Sequence, residues 1–215
     1  DTGALRDAAL KAGWASPVRL KNLQRELEEQ LHELGFNAAA VTVTTKPEGA
    51  KVDVHVVVVE GPLDTLKTIT FTGHKRGKEA ELRKAVKSAL NQPWRGDADA
   101  DVQALELHYF DRGMVNARIN FTTARATSGD IALTFTITEG DVFSVGTLKL
   151  RGDALGPEKP LLASLTSKPG RVFSRSVMRD DVQKLEARGD VVVTPIVDVD
   201  PKTKRINVTF EVAPK

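Results

Sequence analysis

The sequence predicts an α+β fold of tandem β-α-α-β-β units, each a three-stranded mixed sheet covered by two helices. Three observations predict it. Alternating apolar runs close on Glu-Gly twice, at Glu60-Gly61 and Glu139-Gly140. After each close a second alternating run ends in glycine, at Gly73 and at Gly152. Between these strands lie pairs of segments with helical spacing, and the arrangement returns three times in 215 residues.

The first unit opens on "LRDAALKAGW", a helix ending near Trp14. A second helix follows in "LQRELEEQLHELG", with Leu23, Leu27, Leu31 and Leu34 on one face. Gly35 stops it, and "FNAAAVTVTTKPEGAKVDVHVVVVEG" reads as two strands about a Pro-Glu-Gly turn. No strand precedes the first helix. The unit over residues 1–63 therefore lacks its opening strand, and the chain reads as a piece of a longer protein.

The second unit, residues 64–142, is complete. Its opening strand runs to Gly73, and "EAELRKAVKSAL" gives the first helix. Trp94 in "NQPW" stands nearly in register with Trp14, which suits a structural staple. The second helix, "DVQALELHYFDRG", spaces Val102, Leu105 and Tyr109 helically, with Asp99 or Asp101 as N-cap and Gly113 at the C-terminal turn. Val115, Ala117, Ile119 and Phe121 then alternate, as do Ile131, Leu133, Phe135 and Ile137. "TTARATSGD" turns the chain between them. The third unit, residues 143–215, repeats the pattern around Gly189, but Val182 lies closer to its glycine than Val102 does to Gly113. The spacing predicts a second helix shortened by about one turn.

Composition narrows the function. A hydrophobic content of 40% and a charged content of 28% fit a folded soluble chain, and the net charge of +2 shows no nucleic-acid footprint. There is no cysteine, which removes thiolate metal sites, disulfides and a thiol nucleophile together. No P-loop, dinucleotide or nucleophile-elbow pattern occurs, and nothing pairs a nucleophile with a base, so neither catalysis nor a cofactor is expected. The histidines at 32, 55, 74 and 108 have no metal-ligand spacing. Asp97, Asp99 and Asp101 lack the glycine and distal glutamate of a calcium loop and read as helix-capping acids. Three Arg-Gly-Asp triplets fall at inequivalent places in the unit, so they read as turn material rather than an adhesion loop.

The helix pair, "HYFDRGMVNARINF" and a hairpin closing on "TITEGDVFSVGTLKLRG" together resemble the POTRA family. These are the polypeptide-transport-associated repeats that precede the outer-membrane barrel of BamA- and TamA-type assembly and translocation proteins. The second unit carries the family's features at Tyr109, Gly113, Glu139-Gly140 and Gly152, with Met114 where an aromatic is more usual; the first has Phe36 there. The third departs most, with "FEVAP" at its close.

The resemblance implies a scaffold at the periplasmic face of the outer membrane, ahead of a C-terminal membrane β-barrel. Its implied partners are unfolded outer-membrane proteins and accessory lipoproteins or periplasmic chaperones, with no nucleic acid. Two alternatives stand beside this. One is the POTRA region of a two-partner secretion or lipid- or polypeptide-exporting transporter. The other, remote, is a KH-like RNA-binding module, which the absence of a GxxG loop and the acidic "RGDADAD" disfavour.

Physical reasoning locates a binding edge independently. A small sheet leaves an edge strand unpaired, and such an edge accepts an extended peptide through main-chain hydrogen bonds. The expected edges are the first hairpin strands: Val115–Thr123, carrying Val115, Ala117, Ile119 and Phe121; Ala39–Thr45, carrying Val41 and Val43; and Val191–Val199, where Pro195 removes a donor.

Overall fold

The computed structural model describes residues 17–48 and 51–215. The expected helix ending near Trp14 and the tip of the first hairpin lie outside them. Among the described residues, five helices and eight strands follow in chain order: α1 (Pro17–Glu33), β1 (Ala40–Glu48), β2 (Lys51–Val59), β3 (Thr65–Thr72), α2 (Glu79–Ala85), α3 (Asp99–Phe110), β4 (Arg118–Arg125), β5 (Asp130–Thr138), β6 (Ser144–Arg151), α4 (Glu158–Ser164), α5 (Arg175–Glu186), β7 (Val191–Asp200) and β8 (Arg205–Pro214). The strands form an antiparallel pair β1-β2 and two mixed three-stranded sheets, ordered β3-β5-β4 and β6-β8-β7. In the last, β8 pairs in parallel with β6 and antiparallel with β7. The α+β class and the β-α-α-β-β order are those the periodicity predicts.

By packing, the chain divides into two compact units. One comprises Asp1–Thr70, Ser88–Ala98 and Thr123–Leu133, the other Phe71–Lys87, Asp99–Thr122 and Thr134–Lys215. The second sequence repeat contributes to both. In the first unit, Asp64 explains the grouping. Its N–H donates to Gly35 O at 2.8 Å, and its carbonyl accepts from Trp94 N at 2.9 Å. Its carboxylate is 1% exposed and takes Arg125 Nε at 2.6 Å and Asn37 Nδ2 at 3.1 Å. Thr65 N donates to Gly129 O alongside.

The second unit repeats this backbone arrangement around a different side chain. Phe143 N donates to Gly113 O at 2.8 Å, Phe173 N donates to Phe143 O at 3.0 Å, and Ser144 N donates to Lys204 O. Phe143 is an apolar plug where Asp64 is a charged one. It heads a core with Leu161, Phe173, Leu185, Ile206 and Phe210, and Val115 packs against the same core.

Strand-closing glycines have a steric reason. A Cβ at Gly73 would stand 2.3 Å from Ile137 O, and one at Gly152 would stand 2.3 Å from Val212 O. Each glycine lets the chain cross tightly over a strand end before entering the helix pair.

The first helices of the repeats, α2 and α4, are each only 7 residues long. "EAELRKAVKSAL" therefore stops at Ala85, short of its apolar pattern. A buried carboxylate on the following helix claims the next backbone N–H groups. Asp101 accepts from Lys87 N at 2.6 Å, and Asp181 accepts from Thr166 N and Ser167 N at 2.7 Å each. Asp101 thus caps the end of the neighbouring segment from within its own helix, which begins at Asp99.

The expected shortening of the third repeat's second helix is corrected. Helices α3 and α5 have 12 residues each. Aligning the two by their buried aspartates, Asp101 and Asp181, shows why. The third repeat loses a turn after the aspartate but gains one before it, where Ser174 caps the helix by accepting from Val177 N at 3.2 Å. "RSVM" is helical where the second repeat has the "RGDA" turn. In α1, Leu27 is buried and Leu23 and Leu31 are half-buried, whereas Leu34 is exposed beyond the helix end.

Candidate functional site

The candidate site is the row of backbone groups along the outer sides of β4, β7 and β1. Strands β4 and β7 are terminal in their sheets, and β1 pairs with β2 alone among the described residues. The opposite edges, at β3 and β6, are partly covered. Thr65 bridges to Pro93 and Ser144 to Val172, and the inter-helix loops exchange hydrogen bonds with Leu66 and Val145.

The structure shifts the expected positions. Strand β4 is Arg118–Arg125, not Val115–Thr123. Val115 sits in the turn before it and packs into the Phe143 core. Ala117 and Ile119 are buried and Phe121 is half-buried; Val41 is buried and Val43 half-buried. All six named side chains are thus buried or half-buried, and what the edge can offer a partner is main chain. The two flanking strands extend a little beyond expectation, to Glu48 in β1 and Asp200 in β7.

Hydrogen-bond direction shows which N–H groups point outward. Antiparallel strands turn alternate residues toward and away from the partner. In β7, Val193 N donates to Glu186 Oε1 at 3.1 Å and Val191 N to Gly189 O at 3.0 Å, so the odd-numbered groups face the edge. Pro195 falls on that parity and contributes no donor. In β1, Val41 N donates to Glu28 Oε1 at 3.2 Å, which sets the same parity. In β4 the even-numbered Ala126 N donates across the hairpin to Asp130 O, leaving the odd-numbered groups outward. Glutamates 28 and 186 were not expected from the sequence, although the repeat places both on the second helix.

Strand β7 also exposes apolar side chains on both faces beyond Pro195: Ile196, Val197 and Val199 are each more than 40% exposed. A groove of about 580 Å3 lies between α3 and α5, lined by Glu106, Leu107, Arg175, Met178, Arg179 and Pro195 among others.

Titratable groups near these elements hold structure together. Burial, then the charge of Glu139, pushes the Tyr109 hydroxyl up to about 12; that hydroxyl is buried beside Glu139 without a well-formed hydrogen bond. Glu139 itself accepts from Lys75 N and Arg76 N at 2.7 Å each, which explains the closing Glu of the repeat. Asp111 accepts from Ser176 N at 2.7 Å and from both serine hydroxyls, Ser174 and Ser176. Burial works to raise its pKa, but the bonds from Ser176 and Ser174 and the charge of Arg179 outweigh burial and lower it. Among the described residues no cluster of three His, Cys, Asp or Glu could hold a metal, and no helix is long and apolar enough to cross a membrane.

Units of two helices on a three-stranded mixed sheet, repeated along the chain, define a class of modular α+β repeat. The family comparison then specifies it. Residues 65–140 and 143–215 match the model of the POTRA family, described as a surface antigen variable number repeat, and the chain belongs to that family. It is 24% identical over 180 residues to a putative outer membrane protein assembly factor of Treponema pallidum, covering 78% of this chain and 22% of that protein. The chain thus spans about a fifth of the length of that relative. Its fold resembles POTRA domains 3–5 of Haemophilus influenzae BamA with a TM-score of 0.61 at 16% identity, over 99% of this chain and 90% of that one. It also resembles Haemophilus ducreyi BamA lacking POTRA domains 1–3, with a TM-score of 0.60 at 14% identity, over 70% of this chain and 29% of that one.

Proposed function

We propose that this chain is three consecutive POTRA repeats, residues 1–63, 64–142 and 143–215, of an outer-membrane protein assembly factor. It stands at the periplasmic face of the outer membrane, ahead of a membrane β-barrel in the full-length protein. There it binds unfolded barrel precursors, and accessory lipoproteins or chaperones, by strand addition to its sheet edges. The observation that carries this reading is the outward row of backbone donors on strands that end their sheets. Pairing through the main chain accepts many sequences, which suits a scaffold with many clients. The relationship to an assembly factor supports the setting.

Chemical-shift perturbation tests it directly. A ten-residue peptide from an outer-membrane β-strand, titrated into the labelled chain, is expected to move amide signals along β4, β1 or β7. Edge amides that stay still at millimolar peptide would overturn strand addition and leave the chain a spacer.

A further inference from the structure

We propose that β4, alone of the three hairpin edges, is the acceptor for an incoming extended strand, and that glutamates on the second helices close the other two. This rests on the strand-addition reading and says which edge performs it. The occupant is a chain of another protein in extended conformation, held through its backbone.

The repeat makes the comparison like for like. Glu28 lies seven residues before Gly35, and Val41 lies six after it. Glu106 and Ile119 stand at the same offsets from Gly113. In the first repeat the glutamate reaches across and takes the strand's outward N–H. In the third, whose helix is displaced by one turn, Glu186 does the same for Val193. Two repeats therefore fill the first open donor of the edge with a carboxylate. An N–H already bound to a charged acceptor is a poor partner for a neutral peptide carbonyl.

The second repeat breaks the pattern. Glu106 accepts no hydrogen bond among the described residues and instead lines the groove that Arg175 and Arg179 also border. Among the described residues, no side chain takes Ile119 N–H. By parity the outward donors of β4 are Ile119, Phe121, Thr123 and Arg125, an unbroken run. In β7 the run is cut to Val197 and Val199 by Gly189 O, Glu186 and Pro195. In β1 Glu28 and Pro47 leave only Val43 and Thr45. Short, capped and proline-broken edges are how proteins prevent unwanted pairing. Here that protection is applied twice and withheld once.

A zipper with two more donors is favoured by roughly ten- to a hundredfold, since each net backbone hydrogen bond is worth about a factor of 3 to 10. The test uses the full 215-residue chain, labelled with ¹⁵N, and a synthetic peptide of alternating threonine and valine with lysine at each end. A control peptide carries an N-methyl group on every amide, so that neither of its edges can pair. The expected result is exchange protection and shifts at Ile119, Phe121 and Thr123, with none from the methylated control. Phe121→Pro, which copies Pro195, is expected to weaken binding at least about tenfold by removing a central donor. Should that variant unfold, Glu28→Ala tests the same idea from the other side: peptide-dependent protection should then appear at Val41 and Val43.

Equal protection of all three edges in the unaltered chain, or Glu28→Ala leaving β1 unresponsive, would overturn the selection of β4 while leaving strand addition intact. Protection at no edge overturns strand addition itself. Concentration-dependent protection of β4 without peptide would assign the edge to a second copy of this chain and overturn the proposed occupant.

Discussion

Tyr109 and Asp181 show how buried polar groups act where the repeat is densest. The tyrosine ring is fully buried, yet its hydroxyl has no good partner and faces Glu139. Removing an unsatisfied buried hydroxyl relieves desolvation without losing a bond. Tyr109→Phe is therefore expected to leave stability unchanged or raise it by up to about 1 kcal/mol in urea unfolding. The sign of its pH dependence follows from the raised pKa. The neutral form is favoured in the folded state, so its contribution is intact below the ordinary tyrosine value of 10.0 and fades as pH rises toward about 12. Stability curves of the two proteins should converge or cross in that window and run parallel below it; a difference that does not change from pH 9 to 12 would refute this. Asp181 behaves oppositely. Burial raises its pKa, but the bonds from Thr166 and Ser167 and the charge of Lys184 outweigh burial and lower it. Its contribution is present above 3.8 and is lost as pH falls through the folded-state value. Asp181→Ala strands two buried loop N–H groups and is expected to cost about 2–4 kcal/mol at pH 7, the difference shrinking below pH 4. Chemical denaturation at the two pH values measures it.

At the scale of elements, the periodicity of the chain was enough to place most strands and helices of the described repeats, because each buries one face and alternates or spirals accordingly. Ile131, Leu133, Phe135 and Ile137 all lie in the core as their alternation requires. Element ends were not legible. Helix α2 stops early because Asp101, distant in sequence, takes the next N–H, and β4 starts late because Val115 is drawn into the Phe143 core. Neither effect leaves a local signal. The capping glutamates are different: the shared offset of Glu28 and Glu106 was visible in the aligned repeats, but nothing in the spacing says which of the two reaches the strand. Gly113 illustrates an end that was legible. It has φ +79°, and a Cβ there would stand 2.6 Å from Phe143 O. Gly156 has φ +91° with open space around it. Gly156→Ala is expected to cost about 1 kcal/mol for the left-handed backbone alone, and Gly113→Ala more than about twice that, because a carbonyl must also move. Equal losses in thermal or urea unfolding would show that the contact with Phe143 O yields freely.

Across the whole molecule, sequence repeats and packing units divide the chain differently. A row of identical beads would be expected to unfold bead by bead, each with its own stability. Yet within the second compact unit the residues before Asp141 add contacts to the third repeat. Val115 packs into its core, Gly113 O accepts from Phe143 N, and Asp111 receives Ser174 and Ser176 at the start of α5. Residues 143–215 retain a complete apolar core of their own, from Phe143 to Val212, so that fragment should fold when expressed alone. Its size puts it near the margin, where small domains hold only a few kcal/mol. Losing the contact with Val115 and the Asp111 carboxylate should then lower its stability by about 2–4 kcal/mol relative to the same residues in the full chain. Hydrogen exchange of Leu185, Ile206 and Phe210 amides in fragment and full chain reads this directly. Faster exchange in the fragment, reproduced in the full chain by Asp111→Ala together with Val115→Ala, would make the preceding repeat part of the third repeat's fold. Identical exchange would mean that the joint orients the repeats without stabilising them, and that the series unfolds as separate beads.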